Sequence, residues 1–431
     1  MTDEKFENPE PLSRVFDSED QIREIVKEFG TPVYVYSQKL FEEQARKALA
    51  FPNEYGLTVR YAMKANPNSN ILRIFDRSGL HIDASSEYEV KRAISAGIAP
   101  EKIMLTSQKI PDNLQKTLEG GVLYNACSLE QLENYGSCFF GANVSMRINP
   151  GLGSGGTKRT NTGGPASSFG IWHEDFDEAA EIADIYDLNI QRVHTHIGSG
   201  SDPEVWKKVA LMSLDFVKRF IDLGNRVDTL NLGGGYKVGR MSYEKSTDLP
   251  ECGMPVRRAF IDFAQKIGKK LKLEIEPGTF LVANAGAVIS EIIDVKSTPE
   301  YNFIITDTGM TEVTRPSLYG AQHPITVIPE MPTGRFERYI VSGKCCESGD
   351  ILTPVPGDSE ALQSRVLVEA GIVGDLVVIG GAGAYCAGMS TKNYNSYPEA
   401  AEVLIDNNGK TRLIRKRQTL EQITQNEIIV I

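Results

Sequence analysis

Residues able to do chemistry recur through the first two thirds of the chain, each closing a short β-branched or alternating run. Lys64 ends LTVRYAMK, and Asp83, Ser85 and Glu87 end or follow LHIDAS. Arg147 and Asn149 close VSMRIN, while His194 and His196 stand near the end of IQRVHTHIG. Gly233, Gly234 and Gly235 end TLNLGGG, and Glu276 closes LKLEIEPG just before its Pro-Gly. A desolvated lysine amine sheds its proton and becomes a nucleophile toward carbonyl carbon. Three consecutive glycines expose backbone N–H groups with no side chain in the way, which suits a phosphate. A carboxylate such as Glu276 can pair with a protonated ring nitrogen, and a neutral imidazole such as His196 can stack on a flat ring.

Together these groups match what pyridoxal phosphate needs: a lysine to form a Schiff base, a phosphate seat, and a partner for the pyridine nitrogen. Each has an ordinary alternative, since a strand-end lysine is commonly solvated and a glycine run commonly makes a tight turn. A second reading keeps the histidines for a divalent ion, because His194 and His196 share one face of an extended strand. That reading, a metal-dependent barrel hydrolase, needs further ligands. Of the five histidines, His81 starts a strand while His173 and His323 fall outside the strand ends, so no metal is expected.

The elements that position these residues follow from periodicity. Eight strand-like runs begin at Leu57, Leu80, Lys102, Leu123, Val144, Ile190, Thr229 and Leu271. Between them lie segments such as NILRIFDRSG, EYEVKRAISAG and EVWKKVALMSLDFVKRFIDLG, with apolar residues three and four apart. Eight strand-then-helix units predict an α/β fold, a (β/α)8 TIM barrel, with chemistry at the carboxyl ends of the strands. A doubly wound open sheet is the rival, and the count of eight disfavours it. After residue 280 the pattern becomes strands: FIITDT, HPITVIP, RFERYIVSG, DILTPV, RVLVEAG, DLVVIGG and AEVLIDNNGKTRLIRKR, the last a hairpin at Asn-Gly. The expected organisation is an N-terminal segment 1–36 joining the β-domain, a barrel over 37–281, and a C-terminal all-β domain, sandwich- or barrel-like, over 282–431. The glycine-rich stretch 151–169 is a candidate lid.

Composition sets bounds on partners. The 431 residues carry 41% hydrophobic and 24% charged residues, in the globular range. A net charge of −11 argues against nucleic acid and anionic membranes. Six cysteines without CxxC spacing fit a reducing compartment. The acidic, polar start and the lack of an apolar run near the roughly 18 residues of a membrane span make a cytoplasmic protein the expectation.

The ordered series YAMKANPN, HIDASSEYEVKRAISAGI, HTHIGS, LNLGGGY, EIEPG, TRPSLYGAQHPI, CCESGD and GAGAYCAGMSTKNYNSYP resembles the fold-type III pyridoxal-phosphate decarboxylases of basic amino acids, with their alanine racemase-like barrel. RPSLYGAQHPI is most similar to the diaminopimelate decarboxylase family within them. The resemblance covers essentially the whole chain. It implies that Lys64 carries the cofactor, His196 stacks on its ring, Glu276 pairs with the ring nitrogen, and Ser199 with Gly233, Gly234 and Gly235 cradles the phosphate. It also implies substrate contacts by Arg315, Tyr319 and Glu347, a cofactor and substrate contact by Tyr385, and protonation by the thiol of Cys346. Cys346 and Glu347 would reach into a partner's site, giving a homodimer. The implied reaction is decarboxylation of meso-2,6-diaminopimelate to L-lysine, with ornithine, arginine or carboxynorspermidine as alternative substrates.

The chain departs from the family pattern at three positions. Thr279 follows Glu-Pro-Gly where the family usually has arginine, Tyr397 replaces an arginine in YNSYP, and Ser168 stands where lysine is common. Anion binding must therefore lean on other groups, with Arg315 the nearest candidate.

Overall fold

In the computed structural model, residues 6, 8–153, 162–198, 200–332, 334–368 and 373–431 are described. Ser199 and residues 154–161, most of the tip of the expected lid, lie outside them. The chain divides into two compact units, one of Glu42–Lys237 with Ser246–Leu281, the other of Met1–Phe41, Val238–Lys245 and Val282–Ile431.

The first unit is the expected barrel. Its strands are β1 (Leu57–Ala62), β2 (His81–Ala84), β3 (Ile103–Leu105), β4 (Leu123–Ala126), β5 (Asn143–Asn149), β6 (Asn189–Thr195), β7 (Thr229–Asn231) and β8 (Lys272–Ile275). Each pairs in parallel with the next, and β8 returns to β1, which closes the sheet and rules out the open doubly wound rival. The helices between them start on side chains suited to capping. Asn68, Ser86, Ser128, Asp202 and Asp248 each accept a backbone N–H from the first turn. The helix Pro203–Asp222 buries Trp206, Val209, Ala210, Ser213, Phe216, Val217 and Phe220, the three-and-four spacing that made it legible.

Inside the barrel, side chains two apart on one strand face the same way at different depths. Glu274 on β8 lies between Arg60 of β1 and Arg192 of β6, with contacts of 3.1 and 3.0 Å. Only 2% of Arg60 and of Glu274 is exposed, so this ion triad belongs to the dry interior. Glu276, two residues on, leaves the strand and faces the carboxyl end.

The second unit is built on a mixed sheet. Its main path runs Arg365–Val368, Phe336–Ser342, Asn302–Thr306, Gly286–Ser297, Val33–Ser37, Ala401–Ile405 and Thr411–Arg415. Leu376–Ile379 branches from the strand Gly286–Ser297 and pairs in turn with Ile325–Ile328. Val33–Ser37 pairs in parallel with Ala401–Ile405 and antiparallel with Gly286–Ile289, so the N-terminal segment fills the middle of the sheet. The hairpin predicted at Asn-Gly joins Ala401–Ile405 to Thr411–Arg415, with Gly409 at φ +77° and the Asp406 carboxylate accepting the N–H groups of Asn408 and Lys410. Among the described residues no helix is long and apolar enough to cross a membrane.

Candidate active site

The carboxyl ends of the barrel strands gather the groups singled out from sequence. Lys64 lies in the turn Met63–Ala65 directly after β1, between two buried neighbours, with its own side chain exposed. Its amine is not buried as the sequence suggested, because the strand has already ended. Desolvation of that amine has to come from whatever fills the mouth of the barrel. Its charge acts on Asp83, Glu89 and His196.

Glu276 is 7% exposed and sits in a chain of fixed donors. Asn231 Nδ2 donates to Glu276 Oε1 at 2.6 Å, and His194 Nε2 lies 3.3 Å from Oε2. Behind His194, Ser145 Oγ donates to Asn125 Oδ1, which turns the Asn125 amide nitrogen to His194 Nδ1 at 2.5 Å. The network thereby makes Nδ1 the acceptor and Nε2 the N–H that faces Glu276. Burial pushes the Glu276 carboxyl up, but His194, His196 and Asn231 more than offset it and hold the group well below the usual carboxylate range. A permanent anion therefore stands at the mouth.

His196 lies just past the end of β6. Its Nδ1 accepts the Gly234 N–H at 3.1 Å, and burial followed by the charges of Arg147 and Lys64 keeps the imidazole neutral, its pKa well below the ordinary value. The glycines are required by space. A β-carbon on Gly233 would lie 2.5 Å from His196 Nδ1, and one on Gly234 2.1 Å from the Glu276 carbonyl oxygen. Gly235 has φ +103°, a region that favours glycine. The Gly233 N–H is held by Asn231 Oδ1.

Asp83 Oδ1 and Arg147 Nη2 are among the buried polar atoms with no hydrogen-bond partner among the described residues. Burial, then Glu276, raises the Asp83 carboxyl well above its ordinary range, while Lys64 opposes this. Orphaned polar atoms of this kind call for a bound group. A flat ring bearing polar substituents and a phosphate fits the set, with a neutral imidazole, an anion and a glycine cradle around it. By contrast, His194 and His196 are each engaged by amide donors, and no group of three or more His, Cys, Asp or Glu side chains among the described residues converges as a metal site would.

A family model described as the pyridoxal binding domain of pyridoxal-dependent decarboxylases matches residues 38–283. The diaminopimelate decarboxylase of Escherichia coli K12 is 35% identical, covering 93% of this chain and 95% of its own length. That of Streptomyces coelicolor is also 35% identical, covering 93% and 90%. This chain belongs to the pyridoxal-dependent decarboxylases, in the diaminopimelate decarboxylase family. A crystal structure of a diaminopimelate decarboxylase superposes with a TM-score of 0.88 at 33% identity, covering 96% of this chain and 99% of the other. The Helicobacter pylori enzyme complexed with L-lysine superposes at 0.82 with 28% identity, covering 94% and 98%. The cofactor of this decarboxylase family is pyridoxal phosphate, the group the barrel residues fit.

The other unit holds the remaining candidates. Arg315 opens the short helix Arg315–Tyr319, and its surroundings include Tyr319 and Tyr385. Tyr385 has φ +56°, a left-handed conformation that costs a non-glycine residue on the order of 1–3 kcal/mol and is kept where function holds it. Cys346 is exposed, its N–H donating to Asn395 Oδ1, whereas Cys345 is buried and its thiol is pushed up to about 12 by burial and Asp350. Glu347 lines a pocket of about 350 Å³ with Met310, Ser317, Gly349, Thr391 and Tyr394. The departures also find uses. The Tyr397 hydroxyl donates to the Lys344 carbonyl at 3.4 Å behind the Cys345–Cys346 loop, and Ser168 accepts from Gln108.

Sequence reasoning passed over Asn125, Ser145 and Asn231. They sit inside strand runs, where an amide or hydroxyl has no periodic signal. The one available clue was a polar residue at an inward position of an otherwise apolar run.

Proposed function

We propose that this chain decarboxylates meso-2,6-diaminopimelate to L-lysine and carbon dioxide, as a cytoplasmic homodimer. The observation that carries the chemistry is Glu276, held anionic at the barrel mouth by His194 and Asn231. Pyridoxal phosphate, when bound, supplies an electron sink for the pair left when the bond from Cα to its carboxylate breaks.

The protein groups then have separable tasks. Lys64 offers the amine that tethers the cofactor. Glu276 holds the proton on the ring nitrogen, and each pK unit of that preference is worth about 1.4 kcal/mol. The neutral ring of His196, fixed by the Gly234 N–H, supports the cofactor face. Gly233, Gly234 and Gly235, with Ser199, would form the phosphate cradle, Gly233 and Gly234 through the space they leave, since their N–H groups are taken by Asn231 and His196. At the far end of the substrate Arg315 offers a guanidinium to a carboxylate, Glu347 a countercharge to an ammonium, and Tyr319 and Tyr385 close the sides. The Cys346 thiol returns a proton to Cα. Its exposure in the single chain agrees with service in a partner's site. Residues 37–281 would then be the cofactor-binding part, with 1–36 and 282–431 supplying the substrate contacts.

The test is carbon dioxide release from meso-diaminopimelate beside ornithine, lysine and arginine. Release from diaminopimelate alone supports the reading, and preference for ornithine or arginine overturns the substrate. Lys64→Ala should lose both the cofactor absorbance and turnover, while Cys346→Ala should keep the absorbance and lose most turnover.

A further inference from the structure

The sequence lacks a guanidinium at position 279, and the second unit contains one that the reaction scheme above does not use. Arg240, from the segment Val238–Lys245, donates its Nε to the Gly381 carbonyl at 3.0 Å. Its stem packs on Gly381, where a β-carbon would meet Arg240 Cγ and Cδ at 2.9 Å. Gly381 has φ +63°, so the backbone conformation and the arginine both exclude a side chain there. The Arg240 Nη2 is buried and has no partner among the described residues.

Arg315 is tied to the adjacent carbonyl. Its Nη1 meets His323 Nε2 at 2.9 Å, and His323 Nδ1 meets the Gly380 carbonyl at 2.9 Å. Burial, then Arg315 and Arg240, keeps His323 neutral, so Nδ1 carries the proton and Nε2 accepts from the guanidinium. Two arginines thus hang from consecutive carbonyls, Gly380 directly before Gly381, at the start of the segment that leads to Tyr385. Each feels the other's surroundings, since Arg315 and Tyr385 both act on Arg240. Glu244 is the carboxylate that acts on both, and its Oε2 is occupied by the backbone N–H groups of Arg240 and Met241. Burial followed by Arg315 pushes Arg240 down to about 9, the mark of a cation held without its counter-ion.

We propose that Arg240 is a specificity-determining residue that forms, with Arg315, a two-guanidinium site for the far-end carboxylate of the substrate. The inference rests on the reading of the substrate as a diamino dicarboxylic acid. It assigns to Arg240 the task that an arginine at position 279 would otherwise share. A guanidinium anchored through Nε keeps its terminal nitrogens available for a carboxylate oxygen, and two such groups discriminate a carboxylate from a bare amine.

The probes are L-lysine, which carries the far-end amino acid head, and cadaverine, the same chain without a carboxylate. Binding of each to the cofactor-loaded wild type, Arg240→Gln and Arg240→Lys is measured by calorimetry, alongside KM and kcat for meso-diaminopimelate. In Arg240→Gln the Kd for L-lysine should rise about tenfold or more, with partial recovery in Arg240→Lys and an unchanged Kd for cadaverine. KM should rise more than kcat falls. Unchanged cadaverine binding shows that the variant is folded, and Arg240→Lys retains the stem on Gly381 should the glutamine variant prove unstable. Equal changes for both probes, no change for L-lysine, or a wild type that does not prefer L-lysine to cadaverine would overturn the assignment. A wild type inert toward diaminopimelate, whose L-lysine affinity still depends on Arg240, would sink the proposed substrate and leave the carboxylate site standing.

Discussion

Replacing His194 with phenylalanine keeps ring volume and removes both ring nitrogens. Glu276 then loses the donor at Oε2 and keeps Asn231 at Oε1. A hydrogen bond to a buried charged group contributes about 1.5–3 kcal/mol, which corresponds to an upward shift of about 1–2 units in the carboxyl pKa. Because the group starts well below the usual range, it stays ionised near neutrality in the single variant. Cofactor affinity of the His194→Phe apoprotein should therefore be close to wild type at neutral pH, with its acid limb moved up by about 1–2 units. Adding Asn231→Leu removes the second donor. Burial, the largest influence on this carboxyl, then wins and raises it above the ordinary range. The double variant should bind pyridoxal phosphate poorly at neutral pH and recover as the pH rises. A depressed carboxyl pKa contributes stability above the unfolded value, lost as pH falls through the folded value, so acid unfolding should begin at higher pH in His194→Phe. Titrating cofactor absorbance of the double variant from pH 5 to 9 reads the loss and its recovery, and urea unfolding of the His194→Phe apoprotein in acid reads the smaller shift. A folded double variant that binds the cofactor at neutral pH as tightly as the wild type would refute the relay.

Three further outcomes follow from the same structure. His81, held down to about 4 mainly by burial and Arg60, and His196 and His323, both depressed, stay neutral in the fold while the unfolded chain protonates near 6.5. Unfolding free energy should fall as pH drops below about 6.5, by up to about 1.4 kcal/mol per unit for each histidine, and His323→Gln should flatten the slope in urea titrations. Glu274→Gln strands Arg60 and Arg192 in the barrel interior and should cost about 3–5 kcal/mol in chemical denaturation, while the cofactor spectrum of the folded fraction stays unchanged. Gly234→Ala forces a β-carbon onto the Glu276 carbonyl and should abolish cofactor binding at saturating concentrations, read by absorbance.

The barrel was legible because each strand announces itself locally, through a β-branched run bounded by glycine or a capping residue. The helix Pro203–Asp222 is equally local, its buried face written at three- and four-residue spacing. The site was legible only in its outer members. Lys64, His196, the three glycines and Glu276 stand at strand ends, where topology alone brings them to one mouth. Their positioning partners depend on register between strands: Asn125 lies opposite Ser145, and His194 opposite Asn231, pairings no window of sequence contains. His194 and His196 looked equivalent, but one closes inside the strand and the other lies past its end. Arg240 was the hardest to find, since its partner Gly381 is 141 residues away.

The triad of Arg60, Glu274 and Arg192 bears on heat resistance. Buried ion groups repay little of their own desolvation, and exchanging a whole set together for well-packed aliphatic side chains is often neutral or favourable by about 1–4 kcal/mol. The lower barrel is therefore a place where methionine or leucine at all three positions could raise the melting temperature. Glu276 draws its donors from His194 and Asn231, so the exchange leaves those contacts in place and removes the neighbouring charge of Glu274. Endurance and chemistry are set by carboxylates two residues apart on one segment, each with its own set of partners.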